Sequence, residues 1–215
     1  MKKFAIVTAL TLGRAPLVAL GCAASLANLA RPSVAWVVAA GCLLSLSAVT
    51  DLFDGALARA WGVTSRFGAL ADPLMDKVFY LSTLPTATFI ALWCEDVRHA
   101  SVLLALDVVS LLRDQWVSFL RSVGSEYGAD VRASISGKIR TIVGFPVIVF
   151  VHVALGVDVL AAKLPAFESA RLCPPQVPIA LEAILGAVTV WSCAAYTARF
   201  APYLKMSCAR GGKRD

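Results

Sequence analysis

Long apolar segments alternate with short polar ones along the whole chain. There are six such segments, each longer than the roughly 20 residues that an α-helix needs to cross a bilayer; they cover residues 4–29, 34–60, 68–94, 99–122, 136–157 and 178–204. Proline and glycine punctuate the connections, among other places at Pro32, Gly62, Gly124 and Gly128. The pattern predicts an all-α fold, a bundle of six transmembrane helices that forms one domain over residues 1–215.

The composition indicates a membrane protein and excludes an ordinary soluble domain. Of the 215 residues, 59% are hydrophobic and 16% are charged, whereas about a quarter of the residues of a soluble domain are charged. The mean hydropathy is +0.75. The six cysteines lack the spacing of a zinc site or a disulfide framework, and His99 and His152 lack metal-ligand spacing. We therefore expect these residues to have structural roles in the bundle.

Lysine and arginine are distributed unevenly between the two predicted sides of the membrane. Of the twenty Lys and Arg residues, those on or near the connections after the first, third and fifth segments are only Arg31, Arg98, Lys163 and Arg171. Because cytoplasmic loops carry the excess of positive charge, we expect both termini to face the cytoplasm. The net charge of +6 suits anionic lipid headgroups and requires no nucleic-acid partner.

Four aspartates lie inside or at the ends of the second and third apolar segments. Asp51 and Asp54 are three residues apart, and Asp72 and Asp76 are four apart, so each pair projects from one face of a helix. A charged side chain at bilayer depth costs roughly 2.5–3.5 kcal/mol on insertion scales. The cluster must therefore be neutralised, and a site for magnesium or manganese is the interpretation that its oxygen ligands favour. Interhelical ion pairing or a proton pathway is the alternative.

Small residues accompany the aspartates. Gly55 and Ala58 share the helix face of Asp51 and Asp54, and Gly68 lies one turn before Asp72. Such residues leave room for a bulky ligand beside the carboxylates. Arg59, next to this face, could balance the charge of a diphosphate.

These residues together form the pattern D-x2-D-G-x2-A-R-x8-G-x3-D-x3-D. It resembles the signature of the CDP-alcohol phosphatidyltransferase family at every specified position. The resemblance implies a six-helix membrane enzyme, a homodimer, that transfers a phosphatidyl or similar group from a CDP-linked donor to an alcohol, with two Mg²⁺ or Mn²⁺ ions. It implies metal binding by Asp51, Asp54, Asp72 and Asp76, with Asp76 also the general base, and contacts to the cytidine diphosphate by Asp54, Gly55, Ala58, Arg59 and Gly68.

Further blocks resemble the bacterial branch of the family whose acceptor is glycerol 3-phosphate. They include Thr11-Leu-Gly-Arg14, Arg113-Asp114, Gly137-Lys138-Ile-Arg140 and Trp191-Ser192. The resemblance implies an enzyme of the bacterial inner membrane, its active site cytoplasmic, that makes phosphatidylglycerol phosphate and CMP from CDP-diacylglycerol. The candidates for binding the acceptor phosphate are Arg113, Arg121, Lys138 and Arg140, of which Arg113 and Arg121 are two helical turns apart and share a face.

Two alternatives stay open at this point. The acceptor could instead be inositol phosphate, serine or another phosphatidyl lipid, with the same chemistry. In a different class, the aspartates could line a cation transporter. The signature occurs once, without a matching half elsewhere in the chain, which argues against a transporter built from repeats.

Overall fold

A computed structural model describes residues 2–63, 66–131 and 134–211. Within these ranges the chain is all-α, as predicted: α1 (Lys2–Ala30), α2 (Val34–Ala60), α3 (Arg66–Trp93), α4 (Val97–Glu126), α5 (Ile135–Lys163) and α6 (Gln176–Gly211), with a short 3₁₀ helix at Pro165–Phe167. Inside the helices, the structure describes only the backbone at positions 2, 52, 66, 67, 69, 70, 72, 210 and 211. The predicted segments and the helices correspond one to one.

The helices form a polytopic membrane bundle. By length and composition alone, α1, α2, α5 and α6 can each cross a membrane. The α3 and α4 helices are of similar length, 28 and 30 residues, but contain the acidic and basic residues discussed below. Large apolar side chains cover the outside of the bundle, for example Leu112 and Ile142, which are 64% and 65% exposed. Such a surface suits lipid rather than water.

Three helices extend clearly further than the apolar pattern predicts. α4 continues to Glu126 rather than to 122, α5 to Lys163 rather than to 157, and α6 to Gly211 rather than to 204. α5 ends where it does because Leu164, which precedes Pro165, is extended, with φ −120° and ψ 117°. A residue before proline disfavours the helical conformation, and this local effect is not part of a hydropathy pattern.

Of the glycines expected in connections, Gly62 and Gly128 do lie in turns with positive φ, 63° and 70°. Gly124 is different, because α4 runs through it to Glu126. A Cβ atom at Gly124 would collide with the Phe200 ring of α6, so the glycine permits close helix packing instead of ending the helix. The prediction of a break at Gly124 was therefore wrong.

Helix packing places α1 beside both aspartate-bearing helices. α1 packs mainly on α2 and also on α3, whereas α4 packs on α6 and α3, and α5 packs on α6 and α2. The main core contains Phe79 and Phe145, whose ring centres are 4.4 Å apart in an edge-to-face arrangement. A smaller core joins α4 to α6 through Val117, Leu120, Tyr196 and Phe200. A polar site formed by α1, α2 and α3 is thus enclosed on one side by α5.

The histidines contact protein partners inside the bundle. His152 Nδ1 lies 3.0 Å from Ser25 Oγ, and its Nε2 lies 3.1 Å from the Thr83 carbonyl oxygen. His99 Nε2 lies 2.7 Å from a carboxylate oxygen of Glu182. All six cysteines are free thiols.

Candidate active site

Arg14 of α1 joins the two aspartate-bearing helices. Its side chain is 2% exposed, and its guanidinium forms an ion pair with Asp51 of α2 through Nη1. Its Nη2 donates a hydrogen bond of 3.0 Å to Oδ1 of Asp76 on α3. A single buried cation therefore holds one member of each aspartate pair, and α2 and α3 present these carboxylates to a common point.

Asp54 is held by the same helix. It is 5% exposed, and its Oδ2 accepts a hydrogen bond of 2.9 Å from the Thr11 hydroxyl. Thr11 precedes Arg14 by three residues, so both side chains lie on one face of α1. That face contacts three of the four aspartates predicted as metal ligands.

The fourth aspartate is described only through its backbone. Asp72 lies in α3 one turn before Asp76, and its side chain is outside the described residues. Among the side chains that are described, no group of three or more histidine, cysteine or acidic residues is close enough to hold a metal ion. The four-carboxylate site thus remains a prediction. Asp51 and Asp76 share the Arg14 guanidinium, Asp54 is held by Thr11 on the same face of α1, and carboxylate oxygens are donors that suit Mg²⁺ or Mn²⁺.

The positions predicted to contact cytidine diphosphate lie on the last turns of α2 and the first turn of α3. Gly55 and Ala58 are half-buried, and Arg59 is exposed. A Cβ atom at Gly55 would lie 3.4 Å from Nη1 of Arg59, so the arginine side chain folds back over the glycine. Gly68 is half-buried in α3. An exposed cation beside the aspartates is thus available to a ligand.

A second polar cluster lies between α4 and α5, around the buried carboxylate of Asp114. Oδ1 of Asp114 accepts a hydrogen bond of 2.8 Å from Arg113 and lies 3.1 Å from Nη1 of Arg140. Arg140 is 2% exposed, and its guanidinium carbon lies 4.0 Å from the centre of the Tyr80 ring. Tyr80 follows Asp76 by one turn of α3, so this cluster adjoins the aspartate site.

Tyr196 of α6 brings Arg121 into the same neighbourhood. Its hydroxyl accepts hydrogen bonds of 2.9 Å from Arg121 Nη2 and 2.9 Å from the Ser134 backbone amide. The guanidinium carbons of Arg113 and Arg121 lie 5.3 Å and 5.4 Å from the ring centre. Arg113 also donates a hydrogen bond of 2.7 Å to Ser192 Oγ.

Three of the four residues predicted to bind the acceptor phosphate are therefore brought together: Arg113, Arg121 and Arg140. We call these three the arginine cluster. Lys138 is exposed on the first turn of α5, and the described contacts do not connect it to Asp114 or Tyr196.

Four residues that organise these sites were not predicted as site residues. The sequence contained a clear indication for Arg14, because an arginine inside an apolar helix requires a partner. The indication for Asp114 was weaker, an acidic residue beside an arginine in an apolar segment. The sequence contained no such indication for Thr11 or Tyr196, since a threonine or a tyrosine in such a helix is compatible with simple packing.

The fold and this site define a class of protein: a polytopic helical membrane protein with a carboxylate site between its second and third helices and an arginine cluster beside it. Residues 4–196 match the family profile of the CDP-alcohol phosphatidyltransferases, and the chain belongs to this family. Membership implies a divalent metal.

Curated relatives have a more specific description. The chain is 37% identical over 97 residues to the CDP-diacylglycerol–glycerol-3-phosphate 3-phosphatidyltransferase of Sodalis glossinidius, and the match covers 45% of this chain and 50% of that relative. It is 35% identical over 104 residues to the protein of the same name from Escherichia coli K12, and this match covers 48% of this chain and 54% of the relative. The chain thus spans about half the length of the curated relatives that it matches.

Proposed function

We propose that this protein transfers the phosphatidyl group of CDP-diacylglycerol to glycerol 3-phosphate, giving phosphatidylglycerol phosphate and CMP. Family membership supports the type of reaction, and the two relatives support the acceptor. The observation that carries the proposal is the position of Arg140, whose guanidinium lies on the ring of Tyr80, the residue one turn of α3 after Asp76. A phosphorylated acceptor needs cationic groups next to the reacting centre, and this arrangement supplies them.

The reaction proposed is a direct displacement at phosphorus. The acceptor hydroxyl oxygen forms a bond to the phosphorus that carries diacylglycerol, and the bond from this phosphorus to the CMP oxygen breaks, so that CMP leaves with the electron pair. A divalent metal held by Asp51, Asp54, Asp72 and Asp76 would neutralise the diphosphate. We assign no covalent enzyme intermediate, because the chemistry needs only a base and charge stabilisation.

We assign the proton of the acceptor hydroxyl to Asp76. An alcohol is a poor nucleophile at neutral pH, so a carboxylate must accept its proton during attack. Among the three aspartate side chains described, Asp76 is the most accessible, with 29% of its side chain exposed against 13% for Asp51, whereas Asp54 is buried. A group that must meet a diffusing substrate needs this access.

We assign recognition of the acceptor phosphate to the arginine cluster. Arg113 and Arg140 share one carboxylate, Asp114, and Arg121 donates to the Tyr196 hydroxyl, so these contacts leave the cluster a net positive charge. Guanidinium groups bind phosphate through paired hydrogen bonds. Arg59, which lies one turn after Gly55 on α2 and folds back over it, is suited to the cytidine diphosphate.

CMP release tests the proposal. Purified full-length protein in detergent with CDP-diacylglycerol and Mg²⁺ would receive glycerol 3-phosphate, inositol phosphate or serine in separate reactions. We expect CMP release with glycerol 3-phosphate and none with the other two acceptors. Release with inositol phosphate or serine instead would keep the chemistry and change the acceptor. No release with any acceptor, together with cation flux in proteoliposomes, would replace the enzyme by a transporter.

A further inference from the structure

Helix α1 places two buried polar side chains against the aspartates. Thr11 is 4% exposed and Arg14 is 1% exposed, within a helix of 29 residues that is otherwise mostly apolar. A buried polar group is costly unless it is hydrogen-bonded. Both side chains obtain their partners from α2 and α3, so their contacts couple α1 directly to the carboxylate site.

The Thr11 hydroxyl has two acceptors within reach. Its oxygen lies 2.9 Å from Oδ2 of Asp54 and 3.2 Å from the carbonyl oxygen of Val7. A hydroxyl has one proton to donate, and the shorter distance to a charged acceptor favours the carboxylate. The bond fixes the orientation of the Asp54 carboxylate, and Oδ1 is the oxygen outside this hydrogen bond.

Arg14 fixes the other two carboxylates relative to each other. Its Nη1 contacts Asp51 and its Nη2 contacts Asp76, so two nitrogens of one planar group determine the spacing between aspartates on different helices. The Phe145 ring of α5 lies 5.8 Å from the guanidinium carbon and supports the planar group. A lysine ammonium is a point charge and cannot reproduce this fork.

We propose that α1 is the outer shell of the metal centre: Thr11 and Arg14 are positioning residues that orient Asp54, Asp51 and Asp76 for the ion. The inference rests on the proposed function, since it assumes that these aspartates bind the metal. Groups that hydrogen-bond to metal ligands fix the orientation of the ligands, and their loss typically weakens metal binding roughly 10–100-fold. A helix that merely packs against the site would not have this effect.

Mn²⁺ binding to the full-length protein in detergent tests the inference without reference to turnover. Free Mn²⁺ is quantified by electron paramagnetic resonance during a titration. Thr11→Val keeps the shape of the side chain and removes the donor, and Thr11→Ser keeps the donor as the matched control. We expect Thr11→Val to weaken binding roughly 10–100-fold, and Thr11→Ser to bind Mn²⁺ as the wild type does. Equal affinity of Thr11→Val and Thr11→Ser would overturn the assignment.

Arg14→Lys provides the second variant. The lysine keeps the positive charge but lacks the two guanidinium nitrogens that contact Asp51 and Asp76. We expect Mn²⁺ binding to weaken by a similar factor, measured on protein that elutes from a size-exclusion column like the wild type. If Arg14→Lys yields no folded protein, the comparison of the two Thr11 variants decides.

The wild type and Asp54→Asn separate this inference from the function on which it rests. Wild-type protein that binds no Mn²⁺ would overturn the proposed metal centre and the inference with it. Wild-type binding that is lost in Asp54→Asn but unchanged in Thr11→Val would overturn only the role of α1.

Discussion

The guanidinium of Arg140 lies on the ring of Tyr80, with 4.0 Å between the guanidinium carbon and the ring centre. Tyr80 in turn lies against Gly144, one turn after Arg140 in α5, where a Cβ atom would collide with the tyrosine hydroxyl. The bare backbone of Gly144 therefore permits the contact between α3 and α5 that sets Arg140 beside the aspartate site.

Gly144→Ala should destabilise the protein. The added methyl group overpacks a closed space, because Tyr80 is 1% exposed and Leu185 would lie 3.3 Å away on another side. Overpacking of this kind costs about 1–3 kcal/mol, which thermal unfolding in detergent would detect. Tyr80→Phe in the same chain removes the colliding oxygen and should restore part of the loss. The idea fails if the double variant is no more stable than Gly144→Ala.

Asp76→Asn should remove most of the activity while keeping an oxygen that can accept the hydrogen bond from Arg14. An amide cannot accept the acceptor proton, and general bases contribute about 10²–10⁴-fold to rates. The measurement is the rate of CMP release with both substrates saturating. Asp130→Asn is the matched control, because its carboxylate is 64% exposed, pairs with Arg199 at 3.6 Å and is not one of the predicted site residues. If the activity of Asp76→Asn is within a few fold of that of the control, Asp76 is not the general base.

Tyr196→Phe should impair binding of the acceptor more than binding of the donor. The change removes the oxygen that accepts hydrogen bonds from Arg121 and the Ser134 amide, and keeps the ring under Arg113 and Arg121. A hydrogen bond to a charged group contributes about 1.5–3 kcal/mol, so the KM for glycerol 3-phosphate should rise roughly tenfold or more.

The KM for CDP-diacylglycerol should change little in Tyr196→Phe. Tyr203→Phe, on the same helix, is the control for loss of a tyrosine hydroxyl. Equal increases of both KM values would show that Tyr196 supports the fold in general and not the acceptor site.

Asp114→Asn should unfold the protein at lower temperature. Asp114 is 8% exposed and is the shared partner of Arg113 and Arg140, so its loss leaves two arginines without their carboxylate. Breaking a buried ion pair costs about 3–5 kcal/mol. The exposed pair of Asp130 and Arg199 offers the comparison, since surface ion pairs contribute about 0–1 kcal/mol. Similar unfolding temperatures for Asp114→Asn and Asp130→Asn would contradict the role of Asp114.

The sequence predicts the helices well because a membrane span depends on the total hydrophobicity of a long segment, which can be summed residue by residue. Length and apolarity alone define six segments that match α1 to α6, and the left-handed turn at Gly62 follows from the need for a residue that tolerates positive φ. Helix ends are less predictable. The end of α5 depends on Pro165, and Gly124 looks like a break although it is a packing position.

The candidate site is only partly predictable for a different physical reason. The spacing of the aspartates identifies which residues share a helix face, but not which residue of another helix meets them. Arg14 could have paired with any acidic residue at its depth, and only the packing of α1 on both α2 and α3 determines that it reaches Asp51 and Asp76. The role of Tyr196 likewise arises from the crossing of α4 and α6.

The bridge formed by Arg14 has a consequence for biosynthesis. The chain is made from its amino terminus, and Asp76 follows Arg14 by 62 residues. During synthesis α1 therefore reaches the membrane with a guanidinium that lacks this partner, a state that costs roughly 2.5–3.5 kcal/mol on insertion scales. Asp51 relieves part of the penalty once the second helix has been translated, and Asp76 relieves the rest once the third has been translated. The first three helices should consequently settle in the bilayer as one unit, and a nascent chain arrested before Asp76 should hold α1 less firmly than one arrested after it.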